Sequence, residues 1–215
     1  MIIEKNEIQD YGWNQSKTQA HNYIFPSIMN QLDKIQFSKD IFILDAGCGG
    51  GYMVNRIYEA GYKNIFGFDV SESGIKIAKE NYKNIRNNFF VHNGYDKTLP
   101  KNVPGKYDLI ISSEVIEHLY NPKVYLENIN SWLNTNGILI LTTPYHGYLK
   151  NIIIVLLNRF DKHFDPFWIG GHIKFFSIKS LNKLFQLSGF KILIFKGCGR
   201  LALFWKSIIV IAKKI

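Results

Sequence analysis

The loop Asp45-Ala46-Gly47-Cys48-Gly49-Gly50-Gly51 sets one acid before four glycines, and Asp69 follows it at the end of the next apolar run. Glycines let a chain turn tightly and let a ligand approach the backbone, because no side chain stands in the way. A carboxylate in the place of Asp69 accepts hydrogen bonds from a ribose diol. The glycines are spaced Gly47-x-Gly49-x-Gly51, whereas a pyrophosphate-binding loop spaces them G-x-G-x-x-G. An acid at Asp45 would repel a pyrophosphate. It would attract a sulfonium or an ammonium. S-Adenosylmethionine carries both, so the charge pattern favours that methyl donor over a dinucleotide.

A second group of reactive residues is Ser112-Ser113-Glu114-Val115-Ile116-Glu117-His118. The two acids are three residues apart, so a coiled loop would aim both at one point. In an open α/β sheet, ligands sit at the carboxyl ends of the strands. This run follows an apolar stretch at 107–111 and is expected to face the reaction. His172 comes much later, in Gly170-Gly171-His172.

The elements that must position these residues alternate between strand and helix, which predicts a parallel sheet wrapped by helices. Strands are expected over 41–44, 64–68, 89–92, 107–111, 137–142, 191–195 and 207–211. Helices are expected over 16–35, bent at Pro26, and over 52–60, 122–133 and 179–188. Ser71 is the expected N-cap of a further helix that reaches about Tyr82.

Leu44-Asp45-Ala46-Gly47-Cys48-Gly49-Gly50-Gly51, Gly67-Phe68-Asp69, Tyr107-Asp108-Leu109-Ile110 and Gly137-Ile138-Leu139 together resemble the motif series of the class I S-adenosylmethionine-dependent methyltransferases. The resemblance covers about 42–190. It implies an α/β, Rossmann-like, doubly wound sheet of seven strands, mostly parallel with the last antiparallel. It also implies that Asp45, Gly47, Gly49 and Gly51 lie along the methionine moiety and that Asp69 binds the ribose. Adenine contacts fall near Asn93-Gly94-Tyr95-Asp96, with Tyr95 the contact residue, and Ser113 joins the cofactor-binding set. Glu114-Val115-Ile116-Glu117-His118-Leu119, followed by Asn121-Pro122, resembles the O-methyltransferases of ubiquinone biosynthesis. There the two acids and the histidine are implicated in metal binding, and an E-x-x-E-H motif also serves the small-RNA 2′-O-methyltransferases. On this resemblance Glu114, Glu117, His118 and His172 are candidate ligands of a divalent cation such as Mg²⁺. His118, Glu117 and Glu114 are the catalytic candidates, with His118 either a ligand or a general base. The absence of an Asn-Pro-Pro-Tyr signature counts for an oxygen acceptor.

The 215 residues suit one domain, with an N-terminal helical segment at about 10–36 and an insertion at about 145–176. Residues 148–160 are expected to form a very apolar helix with basic flanks, Lys150 and Arg159. It is read first as a buried lid helix. The second reading is peripheral membrane contact through 148–168, as in the comparable region of the ubiquinone enzymes. The net charge of +9 comes from scattered lysines and only four arginines, which argues against a nucleic-acid partner. Two cysteines are too few for a disulfide framework, and residues 1–10 lack an apolar signal segment, so a cytoplasmic protein is expected. The expected function is O-methylation of a small-molecule acceptor of quinone, lipid or sugar type. A dinucleotide-dependent oxidoreductase and a non-catalytic cofactor-binding protein are the alternatives.

Overall fold

A computed structural model describes residues 13, 15–161, 164, 167, 170–202 and 204–215. Seven strands form one sheet: β1 (Ile43–Ala46), β2 (Ile65–Asp69), β3 (Phe89–Val91), β4 (Tyr107–Ser113), β5 (Leu133–Pro144), β6 (Phe190–Cys198) and β7 (Ser207–Lys214). Their order is β3-β2-β1-β4-β5-β7-β6. The strands from β3 to β5 are parallel, and β7 runs antiparallel to both β5 and β6. The expected doubly wound sheet with an antiparallel last strand is therefore present. All four residues of β1 and the first six of β7 are buried, as continuous apolar runs in the middle of a two-faced sheet should be.

Among the described residues, six α-helices surround the sheet: α1 (His21–Ile35), α2 (Tyr52–Glu59), α3 (Glu72–Asn81), α4 (Pro122–Trp132), α5 (Tyr148–Leu156) and α6 (Ile178–Leu187). On one face Ile24, Ile28 and Leu32 of α1 pack with Met53, Val54 and Ile57 of α2 against Ile43, Leu109 and Ile140. On the other, Leu126 and Ile129 of α4 and Leu181 and Phe185 of α6 cover Leu44, Ile110 and Leu139. Each such aliphatic side chain contributes about 1.5–3 kcal/mol when fully removed from water. The Ser71 hydroxyl accepts from the Gly74 amide, as a side-chain N-cap does.

This winding builds the site. Asp45 pairs with Gly67 and Ile111 in the sheet, and Asp69 pairs with Val91, so β1, β2 and β4 end at one edge. The helix after β1 packs on one face and the helix after β4 on the other. The chain thus parts at the carboxyl ends of β1 and β4, which opens a crevice there.

The structure departs from the sequence expectations at several places, and β1 runs over Ile43–Ala46 where 41–44 was expected. Helix α1 begins at His21, not residue 16, because the His21 Nδ1 accepts from the Thr18 amide at 2.9 Å and ends the preceding extended stretch. Strands β5 and β6 are longer than expected, since each is paired along β7. Helix α5 is not a buried lid helix. Only Ile154 is buried, while Tyr148 is 80%, Val155 64% and Leu156 77% exposed. The helix stops at Leu156, with Asn158 in the left-handed conformation at φ 50°. His163 and Trp168, and residues 10–12 of the expected N-terminal segment, lie outside the described residues. No helix among the described residues is long and apolar enough to cross a membrane.

Candidate functional site

The glycine loop is pinned from below. The amides of Gly47 and Cys48 both donate to the Phe68 carbonyl at 2.8 Å. The Asp69 carboxylate clamps the loop to the next turn: Oδ2 accepts from the Gly49 amide at 2.8 Å and Oδ1 from the Ser71 amide at 2.9 Å. Gly51, at φ +80°, has room for no Cβ, which would stand 2.7 Å from the Ala78 Cβ. Asp45 lies beside the loop, 1% exposed, and its Oδ1 has no hydrogen-bond partner. Burial, with the nearby Asp69 charge, pushes its pKa up to about 7.

Beyond β4 the backbone turns sharply at Glu114, at φ 55°, into a 3₁₀ turn over Ile116–His118. The Glu117 carbonyl accepts from the amides of Ile173 and Lys174, both at 2.9 Å, which brings the returning end of the insertion beside the turn. His118 Nδ1 donates to the Gly170 carbonyl at 2.7 Å. The His118 and His172 rings meet edge to face at 4.8 Å, and His172 Nε2 is 3.9 Å from Glu117 Oε1. Ligand atoms of Glu117, His118 and His172 all lie within 4.8 Å of one another. Burial lowers both histidines from their ordinary value, His172 to about 4. Glu117 is raised by burial and by the neighbouring Glu114 charge.

Glu114 does not join these three. Its Oε1 accepts from the Thr142 hydroxyl at 2.8 Å and its Oε2 from the Ser207 hydroxyl at 3.1 Å, so the carboxylate is turned toward β5 and β7. The positive φ at Glu114 breaks the helical spacing that would have aimed both acids at one point. Of the four expected ligands, the structure brings Glu117, His118 and His172 together and leaves Glu114 apart.

A cavity of about 860 Å³ opens at this edge. Asp45, Gly47, Asp69, Tyr95, Ser113 and Glu114 line it, and His118 and His172 form its far wall. Gly49 and Gly51 do not line it. Gly49 lies beneath the Trp13 ring, and Gly51 is closed off by Ala78 and Phe89. Glu117 stands behind the histidines at 1% exposure. Tyr95 is held by its own contacts: its amide donates to Asn93 Oδ1, and its hydroxyl accepts from the Asn121 amide, both at 3.0 Å. The sequence reading missed Trp13, Thr18 and His21, which also line the cavity. The one local signal was a histidine three residues after a threonine at a helix start. None of the cavity's described lining residues is a lysine or an arginine, which disfavours a pyrophosphate.

A family model described as a methyltransferase domain matches residues 17–193. The chain belongs to that family. The ubiquinone biosynthesis O-methyltransferase of Rickettsia bellii is 31% identical over 137 residues, which is 61% of this chain and 54% of that protein. The protein of the same name from Rickettsia canadensis is 27% identical over 180 residues, 81% of this chain and 72% of its own length. The chain thus spans about half to about three quarters of these curated relatives. Among solved structures, magnesium protoporphyrin IX methyltransferase from Synechocystis PCC 6803 with bound SAH superposes with a TM-score of 0.68 at 20% identity. That match covers 89% of this chain and 82% of the other, and it shows the shared fold of the methyltransferase domain.

Proposed function

We propose that this domain transfers the methyl group of S-adenosylmethionine to a hydroxyl of a small, apolar, quinone-like acceptor. One observation carries the reading. A half-buried imidazole with one nitrogen already committed stands at the wall of the cavity that Asp45 and Asp69 line. Because His118 Nδ1 donates to Gly170, its Nε2 is the nitrogen that can accept a proton. Burial keeps the ring neutral, as a base requires. Val115, Leu119 and Ile173 give the same wall an apolar lining suited to a greasy ring. The names of the Rickettsia relatives support an oxygen acceptor.

The residues fit both groups the family implies. The buried Asp45 Oδ1 makes no hydrogen bond and suits a cationic donor, while the buried Glu117 Oε1 makes none and suits a metal. When bound, the donor supplies an activated methyl; a divalent cation held by Glu117, His118 and His172 would lower the acceptor's pKa, with His118 Nε2 then its ligand in place of a base. The chain's own residues orient the acceptor and take its proton, which is most of what remains once the methyl group is activated. The test is transfer of a labelled methyl group to a dihydroxybenzene with an alkyl tail, compared with the matching aniline. Label in an aryl ether alone is expected, and label in the aniline alone would overturn the oxygen reading.

The acceptor's greasiness is matched by the exposed apolar face of α5, and the proposal includes peripheral membrane contact there. Wild-type protein should float with anionic liposomes and the Leu156→Glu, Leu157→Glu double variant should stay behind. If neither floats, the membrane part fails and the transfer reaction is untouched.

A further inference from the structure

Four non-glycine residues stand at positive φ among the described residues, Gln36, Glu114, Asn136 and Asn158, and of these only Glu114 lines the cavity. Glutamate is an unfavoured choice there. At φ 55° its Cβ is crowded, and it lacks the short polar side chain with which Asn and Asp ease the left-handed conformation. Burial raises the pKa of its carboxyl, and among the described residues no cation pairs with it. The Lys150 ammonium donates to the Tyr145 carbonyl at 2.7 Å instead. A residue unsuited both to its backbone and to its burial persists only where the surroundings over-determine it, and such residues cluster at functional sites.

The surroundings of Glu114 do this from two strands. The Thr142 hydroxyl of β5 meets residue 114 twice: it accepts from the amide at 3.2 Å and donates to Oε1 at 2.8 Å. Backbone and side chain are thereby fixed together. On the other side, Oε2 accepts at 3.1 Å from the hydroxyl of Ser207, the first residue of β7. The Ser207 hydroxyl is in turn 3.4 Å from the Tyr23 hydroxyl of α1.

The turn that starts at this anchor carries the acceptor wall. Further along it, the Glu117 carbonyl accepts from the amides of Ile173 and Lys174, and His118 Nδ1 donates to the Gly170 carbonyl. Those bonds hold the turn from the insertion, and Glu114 holds it from the sheet.

We infer that Glu114 is a positioning residue: its carboxylate, strung between Thr142 and Ser207, locks the left-handed turn after β4 and so aims His118 at the acceptor. It acts by hydrogen bonding, without touching the acceptor or holding a cation. For its effect on methyl transfer the inference rests on the reading of His118 above. For its effect on the His118 ring it does not.

Two readouts test it. The first is kcat with the dihydroxybenzene acceptor, beside the calorimetric affinity for S-adenosylhomocysteine. Glu114→Gly removes the anchor and accepts a positive φ without strain, so the native turn stays open to the chain. It is expected to lower kcat about a hundredfold, as misplacing a catalytic group by about 1 Å does, and to change S-adenosylhomocysteine affinity by less than about threefold. Ser207→Ala removes the β7 half of the anchor from 93 residues away and should lower kcat by about tenfold. Glu114→Gln keeps the shape. Its oxygen accepts from Thr142 and its nitrogen donates to Ser207, whose hydroxyl can reverse its role, so kcat should stay within about threefold of the wild type. The second readout is the tautomer of His118 in spectra of protein carrying ¹⁵N-labelled histidine. These are taken at about pH 8, where histidines are neutral, with chelator present, and the signal is assigned by its loss in His118→Ala. Wild type and Glu114→Gln should show the single Nδ1–H form that donation to Gly170 requires, and Glu114→Gly a mixture of the two forms.

If Glu114→Gln is as impaired in transfer as Glu114→Gly, the carboxylate itself acts in the chemistry or on a cation, and the inference is overturned. A Glu114→Gly protein that keeps either the wild-type kcat or the wild-type tautomer also overturns it, as does a tautomer mixture in the wild type. If the wild type transfers no methyl group to the acceptor, the proposed reaction falls, and the tautomer readout alone decides this inference.

Discussion

Replacing His118 by Ala is expected to lower the rate of methyl transfer by about a hundred- to ten-thousand-fold, the contribution of a positioned proton-transfer group. S-Adenosylmethionine affinity should change little, because Asp45 and the glycine loop lie on another wall of the cavity. The expected cause is loss of the nitrogen that His118 presents once its Nδ1 is committed to Gly170. Exhaustive chelation tells the two forms of the mechanism apart. If Glu117, His118 and His172 hold a cation, chelation stops transfer, one added metal restores it, and His172→Ala is about as damaging as His118→Ala. If chelation has no effect, the metal part is wrong and His118 acts as a plain base. The rate then rises with pH through one ionisation that lies below histidine's ordinary value of 6.5, and levels off above it. A His118→Ala enzyme that keeps wild-type turnover removes His118 from the chemistry under either form.

The second large effect is expected at Asp45. Asp45→Ala should weaken S-adenosylmethionine by about ten- to a hundredfold, as expected when a buried charged hydrogen bond is lost. The free carboxyl has a pKa raised to about 7 by burial, with Asp69 beside it. A cationic donor prefers the ionised form, so affinity should rise with pH up to about 7 and level off above it. Stability of the ligand-free protein runs the other way. The folded pKa lies above the ordinary 3.8, so between these values the native state holds a proton that the unfolded chain has released. Stability therefore falls as pH rises through that window. The donor offsets the charge, and the rise in Tm on adding it should be larger at about pH 8 than at about pH 6. Asp45→Asn should flatten both pH dependences. A slope that survives in this variant would assign the titration to another group.

The cofactor edge of this domain was legible in the sequence because its determinants are local. A loop with Gly47, Gly49 and Gly51 at positive φ demands glycine wherever it occurs, and Ser71 caps α3 through an amide three residues away. Asp45 and Asp69 stand where apolar runs end, and the structure puts Asp69 last in β2 and Asp45 one residue before the end of β1. Strand–helix alternation likewise predicted a parallel sheet wrapped by helices, and the resemblance of the motif series implied that it is doubly wound. What tertiary structure decided was every relation between distant segments. His118 meets Gly170 across 52 residues and Ser207 meets Glu114 across 93, and no local pattern encodes such contacts. The spacing of Glu114 and Glu117 suggested one shared target. The turn after β4 instead gave Glu114 to hydroxyls of β5 and β7, leaving Glu117 with the two histidines. The lengths of β5 and β6 were set by pairing with β7, whose hydrogen bonds extend a strand beyond its apolar stretch. Composition alone suggested that α5 is buried, yet burial needs a partner surface, and the fold supplies one only for Ile154. Trp13 and His21 sat in a stretch read as the beginning of a helix. Their role as the wall over the glycine loop arises because glycines leave a flat floor on which an aromatic ring can rest, and only folding brings the ring there.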